Sequence, residues 1–184
     1  MAAIALKLDQ TGLLVVDLQE KLLPHIHESD RVIAQCGKLL DGANALGMPV
    51  VATEQYPKGL GPTVETIAQR LESLDAPVHE KLKFSACIEA VRHDLSAKNI
   101  RAVVVCGIES HVCILQTCLE LMNAGFITAL VVDAVGSRKP VDHETAVRRM
   151  EQAGVIPTTV ESILLELVGE AGTDRFKAIL PIIR

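Results

Sequence analysis

The sequence predicts an α/β fold: a single-domain, doubly wound αβα sandwich whose three layers enclose a six-stranded, mostly parallel sheet. Three observations carry that reading. Short β-branched apolar runs alternate with segments whose apolar residues recur every three to four positions, the pattern of repeated strand–helix–strand units. Gly47, Asn99, Gly125 and Gly154 punctuate the ends of the helical segments. The chain is 49% hydrophobic yet has no Trp, one Tyr and three Phe, so its core must be aliphatic, as suits strands buried on both faces.

The first strand is read at 12–17, where Gly-Leu-Leu-Val-Val is closed by Asp17. The next strands follow at 48–53, 76–79, 102–107, 127–133 and 155–158, each a run of four to seven residues rich in Val, Ile and Ala. Between them, helices are read at 29–46, 63–74, 87–98, 111–123 and 141–153. The tail from 160 to 184 reads as one or two further helices, with Pro181 limiting the last. Such alternation requires right-handed crossovers and places ligands beyond the C-terminal ends of the strands.

With 184 residues, the chain is long enough to bury roughly 70% of its unfolded surface, and no linker divides it, so one domain over residues 1–184 is expected. A net charge of −5 without a basic cluster argues against nucleic acid and for a small-molecule partner. Five cysteines make an odd number without metal-ligand spacing, and the N-terminus lacks the pattern of a secretory signal, so a reducing, cytoplasmic setting is expected. No apolar run approaches the ~20 residues needed to cross a bilayer, and no membrane partner is expected. His25, His27, His79, His93 and His143 show no metal spacing, and neither Gly-x-Gly-x-x-Gly nor a P-loop occurs, so no metal or cofactor is implied.

Cys113 is the leading nucleophile candidate. The apolar run 102–106 stops at Gly107, the polar Glu109, Ser110 and His111 follow, and a helix restarts carrying the thiol. At a helix N-terminus, unpaired N–H groups and the dipole stabilise a thiolate and can hold an oxyanion. Cys36, Cys106 and Cys118, with apolar flanks, read instead as buried hydrophobes. A thiol needs a base or a nearby cation. Asp17, at a strand end, would be desolvated and suited to shuttle a proton, while Lys81 would hold that carboxylate, with Lys83 competing for the role. His111 offers a rival Cys/His pairing. Asp133, Ser137, Arg138 and His143 read as capping and loop-anchoring groups.

These residues resemble the isochorismatase-like cysteine hydrolase superfamily across nearly the whole chain. Leu-Leu-Val-Val-Asp-Leu-Gln at 13–19 is similar to its first-strand motif and places Asp17 on the catalytic acid/base. Lys-Leu-Lys-Phe-Ser-Ala at 81–86 places Lys81 on the catalytic lysine, and Gly-Ile-Glu-Ser-His-Val-Cys at 107–113 places Cys113 on the thiol. The resemblance implies a six-stranded parallel sheet, a homo-oligomer, an oxyanion hole from the backbone N–H groups of Glu109 and Cys113, and a cis peptide between Ile108 and Glu109. Nicotinamidases of the superfamily carry Asp-x-His after the second strand; Thr53-Glu54-Gln55-Tyr56 lacks it, which points away from that activity and toward the poorly characterised hydrolase subgroup.

The expected chemistry is hydrolysis of an amide-like C–N bond in a small metabolite through a thioester. Gln19, Gln55, Tyr56, Phe84 and His111 are expected to edge the substrate pocket. A non-catalytic oligomeric scaffold that keeps the fold is the rival from another class. A redox-responsive thiol protein is a further one, for which Cys118 is poorly placed as a resolving partner.

Overall fold

The computed structural model of the protein describes residues 5–184; residues 1–4, which the sequence reading includes in the domain, lie outside the described residues. Six strands, β1 (Thr11–Val16), β2 (Val50–Gln55), β3 (Val78–Lys81), β4 (Ala102–Ile108), β5 (Ile127–Gly136) and β6 (Ile156–Thr158), form one sheet in the order β3-β2-β1-β4-β5-β6. Every pairing in it is parallel.

Alternate residues of each central strand serve two separate cores. Leu13 and Val15 of β1 face one cluster, and Leu14 and Val16 face the other. All of β1 and β4 is buried, which explains why both read as unbroken apolar runs. The first face is covered by α1 (Ser29–Leu46), α3 (Glu65–Ser73), α7 (Val160–Val168) and α8 (Asp174–Ile183). The second is covered by α4 (Glu89–Ala97), α5 (Leu115–Asn123) and α6 (Pro140–Ala153). A single turn, α2 (Pro57–Leu60), occupies the stretch after β2.

Helix α1 has the bounds its periodicity gives, because Gly47 ends it at φ 65° and donates back to the carbonyls of Ala43 and Asn44. Elsewhere tertiary pairing moves the boundaries. Strand β2 runs on to Gln55, since Glu54 and Gln55 pair with Glu80 and Lys81 of β3 despite their polarity. Strand β5 continues to Gly136, so Asp133 lies inside it, beside an irregularity in the register with β4. Helix α3 starts at Glu65 because the Thr63 N–H and hydroxyl are both taken by Glu54 Oε1. Pro181, expected to limit the last helix, sits inside α8, which runs on to Ile183.

The chain reverses its winding between β1 and β4, so a crevice opens outside their C-terminal ends. Gly107 lets the two strands meet there: its φ is 115°, and a Cβ at that position would lie 2.1 Å from the Val16 carbonyl oxygen.

Candidate active site

Four segments bring polar side chains to that crevice. Asp17 follows β1 in a left-handed conformation with φ 54° and is fully buried. Its Oδ1 accepts from the Thr53 hydroxyl at 2.8 Å and its Oδ2 from Lys81 Nζ at 2.6 Å. Lys81, the last residue of β3, also donates to Gln55 Oε1 at 2.7 Å and to the Phe84 carbonyl at 2.9 Å. The ammonium is therefore surrounded by acceptors, as a buried cation requires. Lys83 is exposed and offers Lys81 only its carbonyl, at 3.3 Å, so burial decides between the two lysines.

Cys113 lies in a five-residue π-helical turn, Ser110–Ile114, that precedes α5, rather than in a regular first α-helical turn. The Ile108–Glu109 peptide that leads into the turn is cis. The thiol is buried and within hydrogen-bonding reach of Asp17 and of the Glu109 N–H. His111 turns elsewhere: its Nδ1 lies 3.0 Å from the Ser137 hydroxyl. The geometry thus joins Cys113 to Asp17 and Lys81 and leaves the Cys/His pairing unmade.

Electrostatics corrects one expectation. Burial and the adjacent Asp17 carboxylate push the Cys113 pKa up to about 12, although Lys81 and the Glu109 amide pull the other way. The resting site therefore holds a thiol, not the thiolate expected from a helix N-terminus alone. Burial also raises the Asp17 pKa, and Lys81, Thr53 and Cys113 oppose that shift without cancelling it. The result is a carboxylate with enhanced proton affinity beside the thiol whose proton it would accept.

The five residues expected to edge a pocket divide. Gln19 does not edge one: fully buried, it donates to the Gln55 and Gly61 carbonyls at 3.0 and 2.7 Å and accepts from the Gln55 N–H at 2.7 Å. It pins two loops together. Gln55 spends its Oε1 on Lys81 and its Nε2 on the Leu82 carbonyl, so it orients the lysine. Tyr56 is exposed and, with Lys81 and Leu82, lines a cavity of about 350 Å³. Phe84 is 54% exposed beside it, a large aromatic left facing solvent next to the buried lysine. His111 is half-buried against Ser137.

Several supports escaped the sequence reading. Thr53 was noticed only as the absence of a metal ligand, yet it is the hydroxyl that orients Asp17. Thr117, one helical turn after the thiol, donates to the Cys113 carbonyl at 2.6 Å and accepts from the Ala86 N–H at 2.7 Å, tying the segment after Lys81 to the turn that carries the thiol. Glu109, just before the turn, and the first two residues of the turn each grasp the segment after β5: Glu109 holds Arg138, Ser110 meets His143 at 2.9 Å, and His111 meets Ser137. The loop-anchoring reading of Ser137, Arg138 and His143 describes these contacts, and Asp133 accepts from the Val160 N–H at the start of α7. A larger cavity, of about 570 Å³ and bordered by Leu46, Pro49 and Ile100, lies at the opposite end of the strands and has no part in this arrangement.

Among the described residues, no helix is long and apolar enough to cross a membrane. A Xenopus laevis protein called isochorismatase domain-containing protein 2 is 39% identical over 172 residues, which cover 93% of this chain and 82% of that one. The zebrafish isochorismatase domain-containing protein 1 is 42% identical over 91% of this chain, which spans 59% of the zebrafish protein. A Caenorhabditis elegans structure described as MAR1 ribonuclease superposes with a TM-score of 0.93 at 40% identity, covering 98% of this chain and 92% of that one. The Bacillus subtilis nicotinamidase/pyrazinamidase PncA shares the fold alone, with a TM-score of 0.72 at 17% identity over 81% of this chain and 99% of its own. The family model described as the isochorismatase domain matches residues 11–162, and with the layout of its sheet and these relatives the chain belongs to the isochorismatase family of hydrolase folds.

Proposed function

We propose that the protein is a cysteine-dependent hydrolase that cleaves an amide-like C–N bond in a small metabolite through a thioester, with Asp17, Lys81 and Cys113 as its catalytic residues. The observation that carries this reading is the buried Asp17 carboxylate, fixed by Lys81 and Thr53 and facing the Cys113 thiol. Asp17 accepts the thiol proton as Sγ bonds to the substrate carbonyl carbon. The carbonyl oxygen takes the negative charge and is held by the Glu109 and Cys113 N–H groups. Collapse breaks the C–N bond, and the proton on Asp17 passes to the departing nitrogen. Water, losing a proton to the same carboxylate, then attacks the thioester; the C–S bond breaks and Sγ regains its proton. Lys81 keeps Asp17 ionised between these transfers.

The segment after β2 lacks the Asp-x-His of nicotinamidases, and its Thr53 and Glu54 are committed to Asp17 and Thr63, which supports an amide hydrolase other than a nicotinamidase. Five free cysteines support action in a reducing compartment such as the cytoplasm. Exposed Tyr56, Val78, Leu82 and Phe84 at the β3 edge support a homo-oligomer, to be read by analytical ultracentrifugation.

The test is a panel of small amides assayed for ammonia or amine release, with mass spectrometry of the quenched enzyme. The expected result is a substrate whose acyl group appears on the Cys113 peptide, with both turnover and adduct lost in Cys113→Ala. Wild-type turnover in that variant would overturn the scheme. The relative described as MAR1 ribonuclease favours a second reading, RNA cleavage. The net charge of −5 opposes it, since phosphate backbones are gathered by grouped cations. RNA degradation that survives purification and disappears in Cys113→Ala would select it over the amide reading.

A further inference from the structure

We infer that Arg138 selects substrates whose acyl group carries a second, ionised carboxylate. The inference rests on Cys113 being the nucleophile, as proposed above. A cavity of about 380 Å³, lined by Leu22, His25, Glu109 and Arg138, borders the nucleophile turn. Glu109 joins the two halves of the argument: its backbone N–H reaches the Cys113 thiol, and its carboxylate holds the arginine.

The arginine is held in a way that leaves its recognition surface free. Glu109 Oε2 accepts from Arg138 Nε at 3.0 Å and from the Arg138 backbone N–H at 3.3 Å. The two terminal nitrogens of the guanidinium are engaged by no other described residue, and the side chain is 59% exposed while that of Glu109 is 12% exposed. A guanidinium fixed through Nε presents its Nη pair as a rigid fork, the geometry that takes a carboxylate bidentately. Because the carboxylate of Glu109 already has two donors, its charge is spent on the arginine rather than turned toward a ligand. His25 lies on the same wall and Leu22 supplies the apolar side.

Glu109 touches both recognition points, its backbone N–H at the thiol and its carboxylate at the arginine, so both lie within reach of one residue, which suits a monoamide of a short dicarboxylic acid. Its amide carbonyl would lie at Sγ and the Glu109 N–H, and its free carboxylate at the Arg138 fork. A neutral amide of the same length would leave the fork unfilled. The pair therefore acts on which substrate binds, whereas Asp17 and Lys81 act on what happens to it.

Alkylation of Cys113 by ω-halo acids of two to four carbons, compared with the corresponding ω-halo amides and located by peptide mass spectrometry, tests this without a known substrate. The expected result is a wild-type preference for one acid over its amide, with the acid-to-amide ratio of kinact/KI falling ~10-fold or more in Arg138→Gln, the scale of a lost charge-assisted pair. Arg138→Lys should recover only part of the ratio, because a point charge lacks the fork. Arg148→Gln, an exposed arginine on α6, should leave the ratio unchanged. Labelling of Cys113 with a ratio that Arg138→Gln does not alter overturns the selectivity while leaving the nucleophile standing. Wild-type turnover by Cys113→Ala in the amide panel overturns the nucleophile reading and this inference with it.

Discussion

Two carboxylate–cation pairs flank the turn that carries Cys113, and they differ mainly in their access to water. Asp17 and Lys81 meet at 2.6 Å with side chains 0% and 1% exposed; Glu109 and Arg138 meet at 3.0 Å with 12% and 59% exposed. In the first pair desolvation is so strong that it raises the Asp17 pKa even against an adjacent ammonium. The pair is held by further hydrogen bonds: Thr53 donates to Asp17, and Gln55 Oε1 and the Phe84 carbonyl accept from Lys81. In the second, solvent screens the attraction, and both residues line a cavity. In the proposed scheme the same two charge types serve proton transfer where water is excluded and recognition where it is not.

The sharpest way to break that comparison is Asp17→Asn, which keeps shape and burial but removes the base. Turnover on a substrate found by the amide panel should fall by about 10²–10⁴-fold, the usual contribution of a positioned general base. A loss no greater than that caused by Arg138→Gln would put the two pairs on the same footing.

Lys81→Ala tests the stability side. It leaves an ionised carboxylate buried without its partner, and urea unfolding should show a loss of about 3–5 kcal/mol. Thr117→Val is expected to cost less, about 1–3 kcal/mol, because it strands the buried Ala86 N–H while filling the same volume. Arg138→Ala, removing a screened pair, should change unfolding free energy by less than about 1 kcal/mol. An equal cost for Lys81→Ala and Arg138→Ala would mean that water reaches the inner pair.

The pH dependence sharpens the comparison further. The base must be ionised to work, so activity falls as the pH drops through the Asp17 pKa. Because that pKa is raised, the acid limb of kcat/KM should lie above the ordinary carboxylate range. Thr53→Val removes a bond to the ionised form and should move the limb to still higher pH. Labelling of free Cys113 by neutral iodoacetamide should climb with pH and show no plateau in the neutral range, since its pKa lies near 12. An early plateau would indicate a resting thiolate and a site wetter than the one described.

Much of this was legible in the sequence, for local reasons. The alternation of apolar runs and helical periods gave six strands and their flanking helices. The C-terminal end of α1 followed from Gly47, and a charge closing an apolar run singled out Asp17. Motif order then separated Lys81 from Lys83, whose local sequence does not distinguish them. What pattern could not supply was the fate of polar groups after burial. Gln19 and Gln55 looked like pocket residues because they are polar and lie near strand ends, yet their amides are consumed by backbone and by Lys81. Thr53 and Thr117 carried no signal because a threonine in an apolar run looks the same whether or not its hydroxyl meets a carboxylate.

The sequence by itself determined the fold class and the two-faced burial of the central strands, and it singled out Asp17, Lys81 and Cys113 as candidates. Those follow from periodicity, from charge placed where charge is costly, and from spacing along the chain. Only the tertiary structure decided the protonation state of the thiol and the partner of each amide. It also decided the contrast between the inner and outer ion pairs. These depend on desolvation and on contacts between residues many positions apart, such as Asp17 with Lys81 and Glu109 with Arg138, which no local pattern encodes.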